Sequence, residues 1–217
     1  MRLELLDIMG SEEQHTYFFI FSLPAHLVID LPALEKSFYA LSRRLHPDRF
    51  AAKSPGEQAA ALSESSRLND AYRTLKDSIA RTEYLLKLEG VELEEQSKSA
   101  TEAARASGTA KKQIVPEDLL EEAFELNMQL EEMRAAKKVG EDDPQLRSDL
   151  LAAKADFDAK MAATQSELET LWADWDRALD ASDAPAKLAA RDAMVALLNR
   201  RSYLRNLVRD VNDALES

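Results

Sequence analysis

The strongest constraint on this fold lies in the C-terminal half, where apolar residues keep helical spacing over very long runs. From Pro144 to about Ala181 the series is Leu146, Leu150, Ala153, Phe157, Thr164, Leu168, Leu171, Trp175 and Leu179. From Pro185 onward it is Ala190, Leu197, Leu204, Val208, Val211 and Leu215. Near-heptad steps of this kind keep an apolar stripe on one side of an α-helix. Asp143 and Asp183 stand where N-caps belong, each just ahead of a proline that suits the first turn. A third pattern, from about Pro116 to Lys138, places Leu119, Ala123, Leu126, Leu130 and Met133 on one stripe. Three long helices with matching stripes predict an antiparallel three-helix bundle over 114–217 with coiled-coil-like packing. Only five glycines and seven prolines punctuate the 217 residues, so the whole chain reads as all-α.

The N-terminal half reads as shorter helices. Tyr17 to Phe21 is an aromatic cluster ended by Pro24. Asp30 is placed to cap a helix in which Leu34, Phe38, Leu41 and Leu45 share a core face, with Lys36 and Arg43 opposite and Arg44 on the flank. Pro47 stops that helix, because it lacks an N–H and disfavours helical geometry at His46. Ser54-Pro55-Gly56-Glu57 announces the next helix as a capping box, with Ala61, Leu68, Ala71, Tyr72 and Leu75 facing the core. A last short helix, about Ser78 to Leu88, ends at Gly90. Helices with a short connection pack antiparallel, so His46-Pro47-Asp48-Arg49 is expected at the exposed tip of a hairpin.

Composition narrows the function. A formal net charge of -12 argues against binding bare nucleic acid, which needs clustered Lys and Arg. With no cysteine there is no disulfide, thiolate-held iron–sulfur cluster or Cys-based zinc site. Met1 to Gly10 lack the basic start and apolar run of a signal peptide, and Tyr17 to Pro24 is too short to span a bilayer. The expectation is a soluble cytoplasmic monomer, with no membrane partner and no cofactor. Ser97 to Lys112 holds no large apolar residue and cannot offset its ordering entropy, so 91–113 reads as a linker.

His46-Pro47-Asp48 is the motif that carries chemistry. A metal site there has no second His or Cys at ligand spacing, since His15 and His26 lie in other segments. A catalytic dyad has no nucleophile-bearing turn beside it. Pro47 could simply end a helix and Asp48 begin a turn, and a basic helix face could be merely solvated. The surroundings say more. A helix with a basic outer face precedes the tripeptide, and a capped helix with Leu68-Asn69-Asp70-Ala71-Tyr72-Arg73-Thr74-Leu75 follows it. Thr16 to Leu75 thereby resembles the J domain. The resemblance implies a non-enzymatic chain, with no catalytic or metal-binding residues of its own. His46, Pro47 and Asp48 would trigger ATP hydrolysis in a DnaK-type chaperone, and Lys36, Arg43, Arg44 and Arg49 would steer docking onto its acidic surface.

The resemblance extends further. Tyr17-Phe18-Phe19-Ile20-Phe21-Ser22-Leu23-Pro24, His46-Pro47-Asp48-Arg49-Phe50 and Arg81-Thr82-Glu83-Tyr84-Leu85-Leu86-Lys87-Leu88-Glu89-Gly90 are similar to the HscB family. So is the plan of a J domain with exit helix (1–90), a linker and an acidic bundle. This chain departs from that family in a longer linker and in Ser78 after Asp77, where a proline is common. The family resemblance implies delivery of an iron–sulfur scaffold protein (IscU-like) to an HscA-type chaperone. On the first bundle helix, Leu120, Phe124 and Met128 form a second apolar row beside Glu121, Glu125 and Glu132, and a three-helix bundle cannot bury both rows. The resemblance carries client binding to Leu120, Phe124, Glu125, Met128 and Glu132, and to Tyr203 on the last helix. At Met128 the family often has a charged residue. The row could instead pack against the J domain or the other bundle helices. A general holdase for unfolded chains and a non-enzymatic helical adaptor are the alternative functions.

Overall fold

The computed structural model describes residues 16–91, 93, 115–141 and 143–216, and it is all-α, with no strand among them. It divides into two compact units: 1–92 together with 172–187, and 93–171 together with 188–217. The expected linker, 91–113, lies outside the described residues except for Val91 and Leu93.

In the first unit, α1 (Tyr17–Ile20) is a single turn capped by Thr16, whose hydroxyl accepts from Phe19 N at 3.2 Å. Its aromatic content explains its position. Phe18 is buried, and Tyr17 stacks on Tyr84 with ring centroids 4.4 Å apart. Helix α2 (Leu31–Leu45) starts at Asp30, which accepts from Ala33 N at 3.0 Å. Helix α3 (Pro55–Lys76) starts at the capping box of Ser54 and Glu57. The two form an antiparallel helical hairpin. Phe38 stacks on Tyr72 at 4.1 Å between them, and the Tyr72 hydroxyl donates to Glu35 at 3.3 Å. Helix α4 (Ser78–Leu88) is capped by Asp77 and closes at Gly90, whose φ of 77° lets Val91 N reach back to Leu86 O at 2.9 Å.

Two features of this unit have no local sequence signal. Arg81 is buried at 5% exposure, yet its guanidinium is satisfied: Nε donates to Leu27 O at 2.9 Å and Nη1 to Leu75 O. Burial lowers its pKa, against the opposing charges of Asp77 and Asp176. One side chain thus ties α4 to the α1–α2 connection and to the end of α3. The second feature is 172–187, read above as bundle. Asp176 accepts from Leu27 N at 2.7 Å and Val28 N at 2.9 Å, and Trp175 Nε1 donates to Ala25 O at 3.3 Å. Asp180 meets His26 at 2.9 Å, and Lys187 meets Glu89 at 2.8 Å. Trp175 is fully buried, and removing such a ring from water contributes on the order of 4–6 kcal/mol.

A 3₁₀ turn (Glu117–Leu119) leads into α5 (Leu120–Val139), followed by α6 (Pro144–Asp180) and α7 (Ala184–Glu216), of which the second unit takes α6 up to residue 171 and α7 from residue 188. Gly140, at φ 75°, ends α5 with the same left-handed closure seen at Gly90, as Glu141 N donates to Ala136 O at 3.0 Å. The core gathers Leu119 of the 3₁₀ turn, Ala123, Leu126, Leu130 and Met133 of α5, Leu146, Leu150 and Phe157 of α6, and Leu204, Leu207 and Val211 of α7. Polar contacts fix the directions. Asp118 pairs with Arg200, and Lys137 Nζ donates to Ala214 O at 2.6 Å, so α5 and α7 run the same way. Glu122 pairs with Lys160 at 2.9 Å.

Candidate functional site

The first candidate site is the tip between α2 and α3. Helix α2 stops at Leu45, and His46 turns the chain out with φ -58° and ψ 127°. Residues Pro47–Phe50 then form a 3₁₀ turn, tighter than the open loop expected. His46 Nδ1 accepts from Asp48 N at 3.3 Å, which leaves Nε2 as the proton-bearing nitrogen of the neutral ring. The Asp48 carboxylate stands 3.4 Å from the same Nδ1, and the two side chains are 56% and 88% exposed. The tip therefore presents an imidazole and a carboxylate, both exposed, a pairing able to donate and accept hydrogen bonds. Arg49 folds back, its Nη1 donating to Arg43 O at 3.3 Å near the end of α2.

Charge surrounds this tip. Lys36, Arg43, Arg44, Arg49 and Lys53 are all exposed. Lys36, Arg43, Arg44 and Lys53 enter no ion pair among the described residues. Exposed cations without an ion-pair partner raise the local positive potential. Tyr39, 56% exposed, lies within this basic face and escaped the sequence reading. Its angular position, about 140° from Leu34, could have revealed it.

The second candidate site is the outer face of α5. Leu120, Phe124 and Met128 are 52%, 67% and 59% exposed, so the row is not packed against the other bundle helices. At about 100° per residue it points roughly 140° away from the centre of the buried stripe on the same helix. Glu121, Glu125 and Glu132 are exposed alongside, while Glu122 is held by Lys160. Val139, 70% exposed, is a further apolar side chain at the end of the helix that the sequence reading missed.

Tyr203 is not part of that surface. It is 9% exposed and packs in the core of the second unit with Leu204 and Leu207. At about 100° per residue Tyr203 lies beside the Leu204 stripe, not on it, yet the buried face of α7 is wide enough to include it, as a core-facing helix stripe often is. Burial, reinforced by the charge of Asp210, raises the pKa of its hydroxyl. Among the described residues no group of three or more metal-ligating side chains comes together, and no helix is long and apolar enough to cross a membrane.

No family model matches the chain. Solved structures do. Chaperone HscB from Vibrio cholerae aligns over 93% of this chain and 98% of its own, with 25% identity and a TM-score of 0.57. The human co-chaperone protein HscB aligns over 94% of this chain and 84% of its own, with 21% identity and a TM-score of 0.56, a likeness of fold. With an exposed His/Asp tip on a helical hairpin and a helical bundle following it, the chain is HscB-like along most of its length.

Proposed function

We propose that this chain is a J-domain co-chaperone of iron–sulfur cluster assembly. It docks on a DnaK/HscA-type ATPase through His46, Pro47 and Asp48, with Lys36, Arg43, Arg44 and Arg49 steering the approach. The contact raises the partner's rate of ATP hydrolysis. The exposed row Leu120, Phe124 and Met128, with Glu125 and Glu132 beside it, holds an IscU-like scaffold and brings it to that ATPase. The observation that carries the reading is the tip: an exposed imidazole and carboxylate at the junction of two helices, with Arg43, Arg44, Arg49 and Lys53 exposed close by in sequence. The similarity to HscB structures supports it independently.

The test is steady-state ATPase activity of an HscA-type chaperone titrated with the full chain. Wild type is expected to raise the rate. His46→Gln is expected to remove nearly all of the increase while leaving the melting temperature within about 2 °C, since an exposed side chain contributes little to stability. Full stimulation by His46→Gln would overturn the reading.

A further inference from the structure

The 3₁₀ turn that bears Asp48 is short, and such turns have poor hydrogen-bond geometry. The backbone bonds at its ends and just beyond it run from Arg49 N to His46 O at 3.0 Å, from Ala51 N to Asp48 O at 3.4 Å, and from Lys53 N to Phe50 O at 2.8 Å. The stretch from Ala51 to Ser54 is exposed throughout, so apolar packing does not hold it. One side chain from α3 reaches into it. Gln58 Nε2 donates to Ala51 O at 3.2 Å and to Lys53 O at 2.9 Å. A primary amide carries two N–H groups, and Gln58 spends both on this one segment.

The base of that clamp is firm. Gln58 sits one turn into α3, where its own backbone N–H donates to Ser54 O at 3.0 Å. The turn is fixed by the Ser54–Glu57 box, in which the Ser54 hydroxyl donates to Glu57 at 2.8 Å. The Gln58 side chain is exposed and contributes nothing to the core. Its bonds therefore act on the conformation of the segment following the tip.

We infer that Gln58 is a positioning residue for the tip: its bidentate amide on Ala51 O and Lys53 O keeps the His46–Asp48 turn in the shape that a partner ATPase recognises. This rests on the co-chaperone reading above. A loop that samples other shapes binds with an affinity reduced by the fraction of time it is competent, while the bound complex is unchanged. Loss of Gln58 should then weaken docking without lowering maximal stimulation, whereas loss of His46 lowers the maximum itself.

The experiment uses the full chain carrying Gln58→Met, which keeps length, neutrality and helix propensity but removes both donors. In the ATPase titration, the expected result is a half-saturating concentration raised about fivefold with an unchanged plateau. Amide hydrogen exchange provides a readout free of any partner: Arg49 and Lys53 should exchange several times faster, while Leu68 and Leu75 in the core of α3 keep wild-type rates. Unchanged exchange at Arg49 and Lys53, or an unchanged half-saturating concentration, would overturn the proposal. If wild type fails to stimulate the ATPase at all, the co-chaperone reading itself falls, and this role for Gln58 falls with it.

Discussion

The tip of the α2–α3 hairpin and the outer face of α5 are both exposed, yet they are built on opposite principles. The tip is polar and is shaped by hydrogen bonds within the stretch 43–58: Asp48 N to His46, Arg49 to Arg43, Gln58 to Ala51 and Lys53. The α5 face is apolar and has no internal bonds of its own. Its shape comes from the opposite side of the same helix, where Leu119, Leu126 and Leu130 are anchored in the bundle core. A surface of the first kind discriminates, because misplaced donors and acceptors are left unpaired. A surface of the second kind adheres, and the unbranched Met128 can adapt to the contour it meets. On the proposed function, the precise surface triggers and the adaptable one holds.

Three changes would break or sharpen that contrast. The largest effect belongs to the adhesive face. Phe124→Ala removes an exposed ring that would become buried in a complex. It should weaken scaffold binding by about 2 kcal/mol, roughly thirtyfold, without shifting the melting temperature. Isothermal titration against the purified scaffold measures it, and unaltered affinity would remove α5 from the account. An intermediate effect belongs to the basic rim of the tip. Replacing Lys36 and Arg43 together by Ala should slow association with the ATPase roughly three- to tenfold at low salt. The difference should fade at 0.5 M salt, where exposed charges are screened. Stopped-flow kinetics across ionic strength checks both parts. The smallest effect on function is that of Gln58→Met, which shifts half-saturation and local amide exchange and leaves the plateau unchanged.

Local signals made most of the architecture legible. Asp30, Ser54 with Glu57, and Asp77 cap α2, α3 and α4, and Gly90 ends α4 through a left-handed residue. The two apolar rows of α5 could be separated by helical geometry alone. Long-range pairing was not legible. Arg81 reads as an ordinary surface cation, because the carbonyls that satisfy it belong to Leu27 and Leu75. Asp176 reads as one acid among many, yet it caps two backbone amides 148 and 149 residues away in sequence. Tyr203 was set outside its stripe because the stripe was drawn too narrow, while Met194, Leu198, Leu207 and Ala214 widen the buried face of α7. Periodicity identifies the centre of a buried face well and its edges poorly.

The central claim is that one chain joins a trigger to a grip. Single-turnover ATP hydrolysis by the chaperone, with scaffold present, tests this most directly when His46→Gln and Phe124→Ala are mixed in equal amounts. Each variant retains one intact surface, but no molecule in the mixture carries both. The account predicts that the mixture stays well below wild type in the scaffold-dependent acceleration. Restoration of the wild-type rate by the mixture would contradict it, because the two surfaces would then act without being joined.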